Sequence, residues 1–340
     1  MGAFVYLSTW IHLLELKPYQ LKVIDHIKKN TGSTLFSFEI LPPLKGKSIQ
    51  SIYDGIDPLL EFKPAFVNVT YHREEFIYKK REKGYLEKIA IKKRPGTVGI
   101  CAAIKNRYDL EAVPHLICGG FTKEETENAL IDLHFLGIDN VLALRGDPIK
   151  TEPHFVPEMG GNNYASELVE QIVNLNKGIY VYPTRYNYST DFCIGVAGYP
   201  EKHFESPNLE KDLDNLKLKI ELGAQFIITQ MFFDVNYYIN FLDKISERGI
   251  NVPVIPGLKP IVSKKSLYNI PKSFFVNIPK ELVEAFDEAK TPKDEFNVGV
   301  KHTIKMIEEL LSSGVPGVHI FTMGKGDAVK EVLREFQNVF

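Results

Sequence analysis

Four stretches of the chain repeat one pattern: an amphipathic helix, a glycine, an apolar residue, a short loop, then an unbroken apolar run. They are DLHFLGIDNVLALRGD, LKIELGAQFIITQMFFD, KISERGINVPVIPGLKP and ELLSSGVPGVHIFTMGK. Gly137, Gly223, Gly249 and Gly314 stand where a helix C-terminus needs positive φ. Unbroken apolar runs are the mark of parallel strands covered by helices, since a half-solvated strand would alternate. Extending the pattern predicts eight strands, near 34–40, 65–70, 112–117, 141–146, 193–199, 226–233, 252–258 and 317–323. Helical patterns separate most of them, as in TKEETENALIDLHFLG, which opens with a Thr122/Glu125 capping box. Eight βα units in about 320 residues predict a single-domain (β/α)8 TIM barrel over residues 21–340. A doubly wound sheet competes, but no G-x-G-x-x-G follows any strand and no P-loop is present. Residues 72–97, rich in Lys, Arg and Glu, and 177–192 break the pattern and read as loop insertions. The second, with Tyr180, Tyr182, Tyr186 and Tyr188, precedes strand five, which assigns it to the N-terminal face of the barrel, for packing or an oligomer contact.

A barrel carries its chemistry at strand C-termini, so polar residues there are the candidates. In TLFSFEILPP, alternation turns Phe36, Phe38 and Ile40 toward the helices and Leu35, Ser37 and Glu39 inward, with Glu39 uppermost. The second strand ends in Thr70, on the face of Asn68, and the third carries His115. In the fourth, Val141, Ala143, Arg145 and Asp147 share parity. The fifth runs Gly195, Ala197, Tyr199, and the sixth has Gln230 in phase with Phe226 and Ile228. Each has a structural alternative: Glu39 as a buried ion-pair partner, Thr70 as a plain strand former, His115 as a satisfied core histidine, Arg145 and Asp147 as a pair across their turn. An amide such as Gln230 in an apolar strand must find partners or cost a few kcal/mol. Six strands ending this way favour one shared polar mouth.

Composition narrows the chemistry. The chain has 340 residues, 44% hydrophobic and 25% charged, with formal charge −2 and no basic run longer than three, which argues against nucleic acid as a partner. Cys101, Cys118 and Cys193 are too few and scattered for a disulfide framework or a zinc site, and a reducing cytoplasm is the expectation. Residues 1–20 lack a basic n-region and a cleavage site, and Ser8, His12 and Glu15 interrupt them. They are too short to span a bilayer and read as a poorly ordered extension or an over-long start, with no membrane partner. No Ser or Cys nucleophile lies beside a His, and no residues stand at metal spacing. Two acids, an amide, a histidine and aromatics point to a planar cofactor and a planar heterocyclic substrate, hence to redox chemistry.

FSFEILPP, FVNVTYH, VPHLIC, NVLALRGDPI, YASELV, AGYPEKH, DLDNLKLKIELGAQFIITQMFFD and VIPGLKPI occur in the order found in methylenetetrahydrofolate reductases, which the chain resembles from about residue 21 to 335. The resemblance is to the short, bacterial type. It implies a (β/α)8 barrel with non-covalent FAD in its mouth, reducing 5,10-methylenetetrahydrofolate to 5-methyltetrahydrofolate for methionine synthesis. NADH or NADPH and folate would bind in turn at one flavin face, giving ping-pong kinetics, and the protein would be a dimer or tetramer. By the same resemblance Glu39 is the general acid that opens the folate ring, Asp147 supplies electrostatics to pterin and flavin, and Gln230 bonds the pterin edge and contacts the nicotinamide. Thr70, His115, Arg145, Gly146, Asp147, Tyr164, Ala165, Tyr199, His203, Asp212, Asn215 and Lys219 fall on FAD-contact positions, Ala165 beside the ribityl and phosphate region and Lys219 by the diphosphate. Lys325 falls where the benzoyl-glutamate tail would run. Two departures stand out: Leu218 replaces an arginine near the diphosphate, and Lys264 lies where some members stack an aromatic on the nicotinamide. The alternatives are another FAD-dependent barrel of the proline dehydrogenase kind, or a non-catalytic barrel subunit.

Overall fold

The computed structural model describes residues 21–29, 34–149, 152–322, 326–337 and 339–340. Its strands are β1 (Leu35–Ile40), β2 (Phe66–Val69), β3 (Glu75–Lys80), β4 (Leu86–Ile91), β5 (Glu111–Ile117), β6 (Asn140–Leu144), β7 (Cys193–Gly198), β8 (Phe226–Met231), β9 (Val254–Leu258) and β10 (Gly317–Phe321). Eight of them close a parallel barrel in the order β1-β2-β5-β6-β7-β8-β9-β10, while β3 and β4 pair only with each other. All eight barrel strands lie where the apolar runs predicted them.

The helices are α1 (Val23–Lys29), α2 (Gln50–Ile56), α3 (Thr97–Tyr108), α4 (Lys123–Phe135), α5 (Ala165–Asn176), α6 (Leu209–Glu221), α7 (Val235–Glu247), α8 (Lys264–Phe274), α9 (Lys280–Glu288), α10 (Pro292–Ser312) and α11 (Asp327–Arg334). The capping box of α4 is formed: Thr122 Oγ1 accepts from the Glu125 N–H and Glu125 accepts from the Thr122 N–H. Gly137, Gly223, Gly249 and Gly314 all have positive φ just past a helix, as the repeat requires.

Strand alternation divides the core. Phe36, Phe38, Ile40, Val67, Val69, Val141, Ala143, Val196, Ile227, Val318 and Ile320 pack outward into the helical layer. Inside, Phe66, Val113, Leu142, Cys193, Phe226, Ile228 and Ile255 fill the lower barrel. Gly195 has no side chain because Phe226 occupies its place: a Cβ there would lie 2.3 Å from the ring. The floor is closed by α1, whose Val23 joins the interior cluster. Asn140, at the start of β6, holds it there, accepting from the Val23 N–H at 2.8 Å and donating to the Leu21 carbonyl.

The two irregular stretches resolve differently. Residues 72–97 are not a plain loop but a β-ribbon, β3–β4, leading into α3. Residues 177–192 have no regular element. They are fixed by the Val181 N–H on Glu127, by Asn176 on Thr190 and Phe192, and by Tyr180 on the Tyr188 carbonyl. The reading of one helix per strand also missed α8 and α9, which form a third apolar cluster with Met231, Phe233 and Ile261.

Candidate active site

A cavity of about 720 Å³ opens at the C-terminal ends of the barrel strands, within the size range of small-molecule sites. Glu39, Asn68, Thr70, His115, Arg145, Gly146, Asp147, Tyr199, His203 and Gln230 all line it.

Glu39 is the last inward residue of β1 and its side chain is 12% exposed. Burial pushes its pKa up to about 8, with Lys259 pulling weakly the other way. His115 Nε2 lies 3.4 Å from Glu39 Oε2 and 3.4 Å from Asn68 Nδ2. Burial, reinforced by His72, drives His115 down to about 3. With a protonated carboxyl and an unprotonated imidazole, the contact is one between neutral groups, not an ion pair. Below them His319, pushed down to about 3 by burial, shares a 2.9 Å hydrogen bond from Nδ1 with Ser37.

The fourth-strand parity stops short of the site. Val141 and Ala143 face the helices, the strand ends at Leu144, and Gly146 with φ +86° turns the chain so that Arg145 and Asp147 both reach the cavity from a loop. A Cβ at 146 would also be tight, 3.2 Å from the Ile117 side chain. Arg145 pairs with Glu205 rather than with Asp147, and its guanidinium sits 4.8 Å above the Phe155 ring. Asp147 instead faces His72, whose pKa its charge raises against the larger effect of burial. Gln230 Oε1 accepts from the Met231 N–H at 2.9 Å, which fixes the plane of the amide at the rim.

Four buried polar atoms among the lining residues have no partner: Asn68 Oδ1, Arg73 Nε, Arg145 Nη2 and His319 Nε2. Buried groups left unpaired cost about 1–3 kcal/mol each, so their convergence on one cavity marks a place built for a polar ligand.

Other candidates lie outside the lining. Tyr164 is the exposed N-cap of α5 and Ala165 its first residue. Asp212 accepts from the His203 N–H and from Ser206, holding the loop that carries Tyr199 and His203. Lys219 reaches behind the wall to donate to the Ala197 carbonyl at 2.9 Å, and burial lowers it to about 8. Asn215 and Leu218 are exposed on α6. Lys325 lies outside the described residues. Lys264 does not reach the mouth: its ammonium donates to the Ala289 carbonyl. The aromatics that do line it from this side are Phe274, at the end of α8, and Phe321.

His319 and Phe321 were not among the predicted site residues, although alternation in VHIF against Val318 and Ile320 turns both inward. His72, Arg73 and Arg94 also line the cavity, and being on loops they left no periodic signal. All three cysteines are buried and free. Among the described residues there is no cluster of metal-ligating side chains and no helix long and apolar enough to cross a membrane.

Comparison with known proteins adds the relatives. Residues 22–337 match the family model for methylenetetrahydrofolate reductase. The chain is 33% identical over 300 residues to the 5,10-methylenetetrahydrofolate reductase of Escherichia coli, covering 87% of this chain and 88% of that one. It is 32% identical over 300 residues to methylenetetrahydrofolate reductase 1 of Schizosaccharomyces pombe, covering 88% of this chain and 45% of that protein. The chain thus spans about half the length of the yeast and plant relatives it matches. Among solved structures, an uncharacterized protein from Clostridium thermocellum that binds two copies of 5-methyl-5,6,7,8-tetrahydrofolic acid shares the fold. Its TM-score is 0.54 at 14% identity, over 91% of this chain and 96% of that one.

Proposed function

The chain belongs to the methylenetetrahydrofolate reductase family, and from that premise we propose that it reduces 5,10-methylenetetrahydrofolate to 5-methyltetrahydrofolate, with FAD bound non-covalently in the mouth and NADH or NADPH as reductant. The observation that carries this reading is a buried, neutral carboxyl, Glu39, at the bottom of a cavity whose other walls present Asp147, Gln230 and four unpartnered polar atoms.

FAD fits the residues present. Arg145 Nη2 is a buried donor and Asn68 Oδ1 a buried acceptor, and neither is satisfied within the chain. Thr70, His115, Arg145, Gly146, Asp147, Tyr199 and His203 would hold it, with Asp212 and Lys219 supporting them from behind through the His203 amide and the Ala197 carbonyl. When bound, the flavin supplies two-electron chemistry linking the nicotinamide to the folate.

The chain's own part is proton handling and orientation. A general acid works best with a pKa near working pH, and Glu39, held at about 8 by burial, keeps its proton at neutrality. His115 cannot compete for that proton while its own pKa is about 3. It packs against the carboxyl at 3.4 Å and limits where the group can turn. Proton donation to the bridging nitrogen of the folate ring favours ring opening. The carboxylate left behind is poorly solvated, which favours its return to the acid. Asp147 sets the local charge, and Gln230, anchored through Oε1, turns its amide N–H toward the heterocycle edge.

The test is a purified, yellow protein, bleached by NADH or NADPH and re-oxidised by 5,10-methylenetetrahydrofolate with formation of the methyl product. A protein that cannot be reconstituted with FAD, or whose reduced flavin is indifferent to the folate, removes this reading.

A further inference from the structure

Three loops meet on one side of the mouth, and a single side chain joins them. Arg73, on the loop after β2, lies across the β5–α4 loop and reaches the β6–α5 loop. Its stem rests on two glycines: a Cβ at Gly119 would lie 3.2 Å from its Cδ, and one at Gly120 3.4 Å from its Cβ. Its guanidinium closes a fork on Glu152, Nη1 donating to Oε2 at 3.0 Å and Nη2 to Oε1 at 3.1 Å. Both partners are well buried, with side-chain exposures of 7% and 16%.

Nothing in the chemistry above uses this pair, and stability is a poor reason for it. Taking two charges out of water costs about as much as their attraction returns, so a buried ion pair speaks for one enforced geometry rather than a stronger fold. The planar fork adds to that, since two parallel bonds fix direction as well as distance. What it fixes is the segment that carries the charge of the site. Arg145, Gly146, Asp147, Pro148 and Ile149 line the cavity from the start of the β6–α5 loop. The end of β6 holds that segment on one side. On the other, Glu152 accepts from the Ile149 N–H and donates its own N–H to the Ile149 carbonyl. The carboxylate that Arg73 grips is therefore tied to the last lining residue. Neighbouring contacts run the same way. His72 faces Asp147, and Phe155 packs on Gly119 beside the Arg73 stem while its ring lies under the Arg145 guanidinium.

We propose that Arg73 is a positioning residue for this reaction: by clamping Glu152 it holds residues 145–149 against the mouth and keeps Arg145 and Asp147 where cofactor and folate meet them. This role rests on the reading of Arg145 and Asp147 given above. A lysine would not serve, since its ammonium is a point charge that cannot make the fork. Glu152 is the other half of the clamp, so the two residues should behave as one unit.

The experiment compares wild type with Arg73→Gln, Arg73→Lys, Glu152→Gln and the double variant Arg73→Gln, Glu152→Gln. Hydrogen exchange on the flavin-free protein reads the clamp itself, over residues 144–149 and 152–158, and a thermal melt shows that each barrel is folded. FAD titration and stopped flow of each half-reaction read its consequence. Arg73→Gln and Glu152→Gln should each speed exchange in those two peptides and leave exchange in the barrel strands unchanged. Each should raise the FAD dissociation constant about tenfold or more and slow the folate half-reaction by up to about 100-fold, as small misplacements of reacting groups do. Arg73→Lys should not rescue either loss, and the double variant should match the singles. Unchanged exchange in the singles overturns the proposal, as do additive losses in the double variant. Looser peptides with flavin affinity and folate rate unchanged also overturn it, because the segment would then hold nothing the ligands use. So does a lowered melt with equal losses in both half-reactions, which would make Arg73 a structural residue only. A wild type that takes up no FAD removes the functional reading and this role with it, a failure told apart from the clamp's own by the exchange data on the flavin-free protein.

Discussion

The two ends of the barrel interior use the same strands and inward faces for opposite purposes. At the lower end Phe66, Val113, Phe226 and Ile255 pack into an apolar cluster that α1 seals. At the upper end, further along the barrel strands, stand Glu39, Asn68, His115 and Gln230, with unpartnered atoms at Asn68 and His319. The lower layer is packed for stability. The upper layer gives some stability away by desolvating groups that only a ligand can satisfy. Period-two alternation sets which residues face inward, and distance along the strand sets which purpose they serve.

The largest effect should come from the upper layer alone. Glu39→Gln keeps shape and hydrogen-bonding capacity but has no proton to give. Removal of a positioned general acid costs roughly 10²–10⁴-fold, so stopped flow should show loss of that order in folate reduction while oxidation of NADH continues. Equal losses in both half-reactions would mean that Glu39 holds the site together rather than donating a proton. The complementary change is Phe226→Ala. It opens a hole in the lower layer and should cost about 3–5 kcal/mol of stability by denaturant unfolding, with turnover per folded molecule unchanged.

A third measurement makes the comparison quantitative. The Glu39 pKa is raised by folding from 4.5 to about 8, so the folded state binds this proton more tightly than the unfolded one. The stabilisation is complete below the unfolded value, declines as pH rises from about 4.5 and is exhausted above about 8. That slope is worth on the order of a few kcal/mol. Glu39→Gln should abolish it and melt above wild type at pH 8, whereas Phe226→Ala should lower stability equally at every pH. The rate of folate reduction should stay level over that range and fall only as pH rises through about 8, where the folded-state acid ionises.

These layers were legible in the sequence to the extent that they obey alternation. The continuous runs gave the eight strands, and the parity of Ser37, Glu39, Asn68 and Gln230 turned them inward correctly. Parity failed for Arg145 and Asp147 because β6 ends at Leu144 and Gly146 reverses the chain. Partners were not legible either. Arg145 takes Glu205, sixty residues on, and Lys264 takes the Ala289 carbonyl, contacts set by how loops stack over the barrel. The charged stretch 72–97 hid a ribbon because both of its faces are solvated, so no alternation of polar and apolar positions marks it.

The smallest effect on stability should come from Asn68→Leu, and it tests the contrast most sharply. Asn68 is fully buried next to Glu39 in the β1–β2 register, with its Oδ1 unpartnered and its Nδ2 only 3.4 Å from His115. Replacing a buried, half-satisfied amide by an apolar group of similar size removes a desolvation cost about as large as the hydrogen bond lost, so stability should move by no more than about 1 kcal/mol and is expected to rise. The cost should fall on the ligand instead, as a raised dissociation constant for flavin or folate. A clear drop in stability with ligand affinity unchanged would mean that Asn68 serves packing, and that the upper layer begins above it. An unchanged stability with weakened binding would set the boundary between the two purposes below Asn68, between it and Phe66 on the same strand.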